Sequence, residues 1–291
     1  MDNQARALAE KFVRSALHFV RRLILLSLSA LAALTTLAMP VAAQTRVDLE
    51  LVIAVDVSLS MDLDEQRLQR EGYVAAFRDE EIHKAIVSGS YGRIAVTYVE
   101  WAGAVTQSVV IPWTILDGAA AARSFADRLE KVPITRARLT SISSALAFSR
   151  ALFPSSGAAG VRRVIDVSGD GPNNDGVPVV LVRDDVVSAG IVINGLPLTL
   201  KEPLSSFDIP DLDQYYAHCV IGGTGAFLVP VRELSEFKLA IRRKLLLEIS
   251  ALPLGHLVPV QHSAPSEGDG YDCLVGEKRW RGYYFPDRGP N

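Results

Sequence analysis

The feature that most narrows what this chain can fold into is the run Leu49-Glu50-Leu51-Val52-Ile53-Ala54-Val55, followed at once by Asp56-Val57-Ser58-Leu59-Ser60. A short stretch of aliphatic and β-branched residues reads as a buried strand, and an acid with two hydroxyls at alternate positions is poor material for a strand interior. Those polar groups belong where the strand ends. Two readings stay open from this motif alone. A chain turning from strand into helix can gather the three side chains around a hard cation. Alternatively, Ser58 and Ser60 simply begin a helix over Gln66 to Phe77, since Ser and Asp are common N-cap residues.

Further along, segments of strand and helix character alternate. Leu63 to Phe77 sets Leu68, Val74, Ala75 and Phe77 among charged residues, which suits an amphipathic helix. Arg93 to Val99 and Val105 to Trp113 read as strands joined by a short connection, so one antiparallel edge strand is expected. Helices follow over Asp117 to Lys131 and Ser141 to Phe153, with Pro154 stopping the second. Arg162 to Ser168 is a strand, Gly169 to Asn174 a loop, Val177 to Ala189 a helix and Ile191 to Leu196 a strand. Gln214 to Val220 is ambiguous; Gly225 to Val229 reads as a short strand and Glu233 to Leu252 as a long amphipathic helix. This alternation specifies an α/β fold, a doubly wound and mostly parallel sheet with helices on both faces. The domain is expected over residues 46–252, with an irregular tail rich in Pro, Gly and Tyr over 253–291.

The N-terminus reads differently. Arg21 and Arg22 precede an apolar run from Leu23 to Leu34, and Pro40-Val41-Ala42-Ala43 supplies small residues for cleavage, the pattern of a secretory signal over residues 1–43. An uncleaved membrane anchor is the competing reading, because Leu23 to Met39 nearly reaches spanning length. Both place the body of the protein in the periplasm or outside the cell. Of 30 bases and 33 acids, residues 1–43 hold five and two, so the chain beyond them carries 25 against 31, a net −6. That balance, with no basic stripe, argues against nucleic acid as a partner. The two cysteines, Cys219 and Cys273, are free to pair in an oxidising compartment, stapling the tail to the domain, or to stay as thiols.

In an open parallel sheet, ligands bind beyond the carboxyl ends of the strands, near the point where strand order reverses. The loops there supply Asp56, Ser58 and Ser60 from one segment and Asp170 with Gly171 from another, and the start of the helix near Thr140 adds a third hydroxyl. Asp-x-Ser-x-Ser after the first strand, Thr140 ahead of Ala145-Leu146, and Asp170-Gly171 after a central strand together resemble a von Willebrand factor type A domain. The resemblance covers about residues 46–252. Within that family the chain is similar to an uncharacterised group of exported bacterial members carrying Val167-Ser-Gly-Asp-Gly-Pro-Asn-Asn174 and Cys219-Val-Ile-Gly-Gly223.

The resemblance implies a metal-ion-dependent adhesion site. Ser58, Ser60 and Thr140 would offer hydroxyl oxygens to Mg²⁺ (or Mn²⁺), with Asp56 and Asp170 binding directly or through water. Such a cation takes six oxygens and readily keeps waters, so a partner's carboxylate can complete the shell. The implied function is an exported protein-binding module engaging an acidic residue of another exported or cell-surface protein. Two positions depart from the family pattern: Gly169 precedes Asp170 where Thr or Ser is usual, and Leu139 precedes Thr140 where Gly is common.

Two other function classes stand beside it. A Mg²⁺-dependent hydrolase of phosphate esters would use the same acids, but position 58 is Ser where an Asp-x-Asp motif needs its second acid, and no Gly-x-Ser-x-Gly elbow is present. A scaffold with a degenerate metal site is the other. Asp166, inside a strand, reads as a structural acid pairing with Arg162 or Arg163, or as a support for the site. Gly222 to Gly225 lacks the Lys-Ser/Thr of a phosphate loop and reads as a tight turn, and the five histidines show no ligand spacing.

Overall fold

The computed structural model describes residues 44–200, 209–250 and 270–284, together with isolated positions between 11 and 21. The chain divides into two units, Met1–Ala43 and Gln44–Asn291. In the first, the described positions are helical and exposed, and the apolar run read as a signal or anchor lies outside the described residues. Among the described residues no helix is long and apolar enough to cross a membrane.

The second unit is built on a five-stranded sheet in the order β3-β2-β1-β4-β5. β1 (Thr45–Asp56) lies at its centre, parallel to β2 (Ile94–Trp101) on one side and β4 (Ala158–Gly169) on the other. β5 (Val192–Pro197) continues parallel beyond β4, and β3 (Gln107–Leu116) closes the opposite edge antiparallel to β2. The chain leaves β1 first toward β2 and later returns to β1's other flank as β4. The order therefore reverses at β1, and the carboxyl ends of β1 and β4 frame the crevice.

β1 is buried on both faces, as a strand covered by two helical layers must be. Leu49, Leu51, Ile53 and Val55 point into one core with Tyr73, Phe77, Phe125, Phe237, Ile241 and Leu245. Val52 and Ala54 point into the other with Ile142, Leu146, Val186, Tyr215 and Tyr216. The first core is covered by α1 (Leu63–Arg78), α2 (Glu80–Val87), α3 (Ala119–Glu130) and α7 (Phe237–Ser250). The second lies under α4 (Ile142–Leu152), α5 (Val179–Ser188) and α6 (Leu212–Tyr215), which runs on into a π turn over Tyr216–Val220.

Three segments differ from their sequence-based expectation. Gly225 to Val229 forms no strand; Leu228 and Val231 make only isolated bridges to Gly195 and Leu198, extending the sheet edge without a ladder. α2 interrupts what sequence periodicity left as a connection, because Asp79 caps it by accepting from the backbone of Glu81 and Ile82. Within the tail, Val275–Tyr284 forms a helix, α8. It is tied to the domain by the Cys219–Cys273 disulfide. Residues 251–269, which include His256 and His262, and 285–291 lie outside the described residues.

Asp166 is structural, but its partner is neither arginine. It is fully enclosed against the ammonium of Lys244, which also contacts Glu248 one helical turn on, while the Tyr73 hydroxyl lies 3.4 Å from the second Asp166 oxygen. Arg162 and Arg163 instead donate to the carbonyls of Glu248 and Ala189. Asp166 and Arg162 share a face of β4 and both reach α7, but Arg162 meets carbonyls at the end of that helix while Lys244 meets the acid; Arg163, on the other face, turns to Ala189.

Candidate metal centre

The segment after β1 is held in place from three sides. Val57 continues the β1 ladder by donating its N–H to Trp101, and Ala137 donates to the Val57 carbonyl at 3.0 Å. Ser58 pairs with Ala137 in an isolated parallel bridge, and Gln66 of α1 reaches the Ser58 carbonyl at 3.4 Å. Arg136, four residues before Thr140, aims its guanidinium at the carbonyls of Leu59 and Met61, so it pins the loop's backbone.

The helix-cap reading of the two serines fails at Asp62. That carboxylate accepts from the N–H groups of Asp64 and Glu65 at 2.9 Å each, and Glu65 returns a bond to the Asp62 N–H at 2.8 Å, a complete capping box. α1 thus starts well beyond Ser58, and both serine hydroxyls are released from capping.

They turn instead toward the acids. Oδ1 of Asp56 accepts from the Ser58 N–H at 2.7 Å; the hydroxyls of Ser58 and Ser60 are 2.8 Å apart; and the Ser60 hydroxyl donates to Oδ1 of Asp170 at 2.7 Å. Thr140 comes in beside the same loop. A β-carbon on Gly171 would stand 4.0 Å from its hydroxyl, and its backbone is locked by Asn174, whose side chain accepts from the Thr140 N–H at 2.9 Å and whose own N–H donates back at 2.8 Å. Four of the five residues singled out from sequence are thus linked by hydrogen bonds at the carboxyl end of β1 and β4, and Thr140 stands beside Gly171 at the same end.

Asp56 is fully buried and forms no ion pair among the described residues. Its Oδ2 has no hydrogen-bond partner among the described residues. Burial, and then the charge of Asp170, push its carboxyl well above the usual carboxylate range, against the opposing pull of the Ser58 backbone and hydroxyl. An acid enclosed in this way is costly unless a cation or donor meets it. The donor set suits a small hard cation: three hydroxyls and two carboxylates, one of them with an unmatched oxygen, and no histidine or thiol. Among the described residues no group of three or more His, Cys, Asp or Glu side chains stands ready for a metal, so the set depends on its hydroxyls.

Of the two departures from the family pattern, the first has a local cause and the second carries a local cost. A β-carbon on Gly169 would sit 2.9 Å from Asp56 Oδ2 and 2.9 Å from the Tyr216 hydroxyl, so a Thr or Ser there would have to displace one or both buried groups. Leu139 adopts φ 71°, the left-handed region that glycine enters freely and leucine enters at a cost. Sequence reading missed Tyr216, whose hydroxyl is buried without a partner and is pushed up by burial and by Asp56. It also missed Gln69, which donates to the Ser168 hydroxyl at 2.8 Å and turns that residue toward α1. Neither carries a motif; each is recruited by the long-range packing of helices over the sheet.

A doubly wound sheet with one antiparallel edge, with Asp-x-Ser-x-Ser, Thr and Asp-Gly brought to its switch point, has a von Willebrand factor A-like fold. The chain belongs to the family described as Protein of unknown function (DUF1194), whose model matches residues 46–253. No curated protein matches the sequence. Among solved structures it is similar in fold to proximal thread matrix protein 1 from the mussel byssus, at 13% identity and TM-score 0.52, over 71% of this chain and 49% of that one. A second structure of that mussel protein, described as having a zinc-occupied MIDAS motif, matches at 12% identity and TM-score 0.52, over 71% and 49% of the two chains. The pilus adhesin SpaC of Lactobacillus rhamnosus GG matches at 10% identity and TM-score 0.53, over 71% of this chain and 31% of the adhesin. The matched region thus spans half or less of these neighbours.

Proposed function

We propose that this chain is an exported, metal-dependent protein-binding module. Ser58, Ser60 and Thr140 hold Mg²⁺ or Mn²⁺ through their hydroxyls, and Asp56 and Asp170 bind it directly or through water. The observation that carries the reading is the hydrogen-bonded series Asp56–Ser58–Ser60–Asp170, closed at one end by a buried carboxylate oxygen with no partner. A bound divalent cation supplies a Lewis-acidic position that an acidic side chain of a partner can occupy. The chain's own groups fix the loop, exclude water from Asp56 and keep Ser60 directed at Asp170.

Export is supported by the Arg21-to-Ala43 pattern and by the disulfide, since such bonds persist in oxidising compartments. A binding module is favoured over a phosphate-ester hydrolase because position 58 supplies a neutral hydroxyl in place of a second acid. The test is titration calorimetry of the purified exported protein with Mg²⁺ and Mn²⁺, beside Asp56→Ala, followed by capture from envelope extracts with and without EDTA. Binding by the wild type only, and capture lost in EDTA, are the expected results. A wild type that takes up neither ion overturns the metal site, and turnover of a phosphate ester that Asp170→Asn abolishes would overturn the binding-module reading.

A further inference from the structure

The tail beyond the family's matched region returns to the metal loop. Cys273 is bonded to Cys219 in the turn after α6, and Tyr271 stacks on His218 with ring centroids 5.4 Å apart while donating its hydroxyl to Asp211 at 2.9 Å. This anchor sets α8 against the β4–α5 loop. Gly276 lies so close that a β-carbon there would fall 2.0 Å from the Asn173 carbonyl oxygen. One residue later, Glu277 Oε1 accepts from the Asn173 side-chain amide at 2.8 Å.

Asn173 is fully buried and is bonded on every side. Its Nδ2 also donates to the Val177 carbonyl at 3.2 Å, its Oδ1 accepts from the Ser143 N–H at the start of α4 at 3.0 Å, and its N–H donates to the Tyr215 hydroxyl at 3.1 Å. It therefore joins three elements: the loop that carries Asp170 three residues earlier, the helix start that follows Thr140, and the tail. Asn174, next in the chain, holds Thr140 by the two bonds already described.

We propose that the disulfide-anchored segment 270–284 is a strap that sets the metal loop, with Asn173 as the positioning residue through which Glu277 acts on Asp170 and Thr140. The inference rests on the metal-site reading above for its effect on affinity, and on the hydrogen-bond geometry alone for its effect on the loop. Residues that orient a site's ligands from behind typically contribute about ten- to hundredfold to metal affinity.

The test uses the purified exported protein, with Glu277→Ala and Glu277→Gln. Gln keeps the acceptor that Asn173 uses; Ala removes it. In metal-free protein, the amides of Thr140 and Ser143 are expected to exchange hydrogen faster in Glu277→Ala and at the wild-type rate in Glu277→Gln. Mn²⁺ affinity should fall roughly tenfold or more in the Ala variant and recover in the Gln variant. A dithiol reductant, taking the disulfide to two thiols as it closes to its own disulfide, should act in the same direction as Ala. Wild-type exchange and wild-type affinity in Glu277→Ala overturn the strap. A wild type that binds no Mn²⁺ overturns the metal site instead, and the exchange rates then decide the strap by themselves.

Discussion

The hydroxyl of Ser60 donates to the carboxylate of Asp170 at 2.7 Å across 110 residues of sequence. That bond joins the ends of the two strands flanking the switch point, and it brings two acids into one site with only hydroxyls between them.

The cost of leaving these acids together without a cation can be measured. Asp56→Asn keeps the shape and removes one of two facing negative charges. In metal-free buffer at neutral pH its Tm is expected to rise by a few degrees above wild type, about 1 kcal/mol for a domain of this size. Saturating Mg²⁺ should raise the wild-type Tm by several degrees and leave the variant unmoved. Thermal scans with and without Mg²⁺ check both; a metal-induced rise in Asp56→Asn would contradict the assignment of that carboxylate.

A second prediction addresses Leu139, held at φ 71° beside Thr140. Replacing it by Gly removes the strain but loses a half-buried side chain, so Leu139→Gly should be close to wild type in stability. Leu139→Val keeps the apolar contact while putting a β-branched residue into the left-handed region, and should cost about 1 to 2 kcal/mol. Denaturant midpoints separate the two, and a Val variant as stable as Gly would show that the backbone is not strained.

Beneath the sheet, Lys244 holds two enclosed carboxylates, Asp166 and Glu248. Truncating the lysine leaves both without a counter-ion, and Lys244→Met is expected to destabilise the fold by roughly 3 to 5 kcal/mol. Adding Asp166→Asn and Glu248→Gln to it should restore much of the loss, because the charges that needed the ammonium are gone. A single Lys244→Met that unfolds at the wild-type denaturant concentration would refute the dependence.

The same cluster gives a pH dependence with a definite sign. Burial, and then the charge of Asp166, push the Glu248 carboxyl up to about 7, with Lys244 and the Asn194 amide pulling it back. A folded carboxyl raised above its unfolded value binds protons that the unfolded chain has released, so its contribution is complete below about pH 4.5 and is lost as pH rises through about 7. The stability of wild type minus that of Glu248→Gln should therefore fall between about pH 4.5 and 7.5, by on the order of a few kcal/mol. A difference that stays flat over that range would contradict the raised carboxyl.

Much of this architecture was legible from residues alone. The aliphatic run of β1 and the acid that ends it placed a strand and its exit, and the parallel order followed from strands separated by helices. Four of the five polar residues close or follow β1 and β4 at the same end of the sheet, and Thr140 reaches that end from the residue before the α4 cap. What remained hidden was set by distance in sequence: Lys244 reaches Asp166 of β4 from α7, and Tyr216 enters through a turn whose pattern was ambiguous. Asp62 illustrates the limit from the other side, since its capping box with Glu65 was present in the sequence, yet Ser58 and Ser60 were equally good caps until the helix start was located. The tail helix had no periodicity to announce it, because its position comes from a disulfide and one buried asparagine.

That disulfide also changes the molecule's connectivity. Cys219 and Cys273 are 54 residues apart. The chain between them is a covalent ring, and closing a ring of that size is worth about 4 kcal/mol of unfolded-state entropy in the simple polymer account. A single proteolytic cut anywhere between residues 251 and 269 would open the ring without releasing either piece. On a gel the nicked protein would run as one species until a reductant was added, and only then would the fragment carrying Glu277 leave the domain.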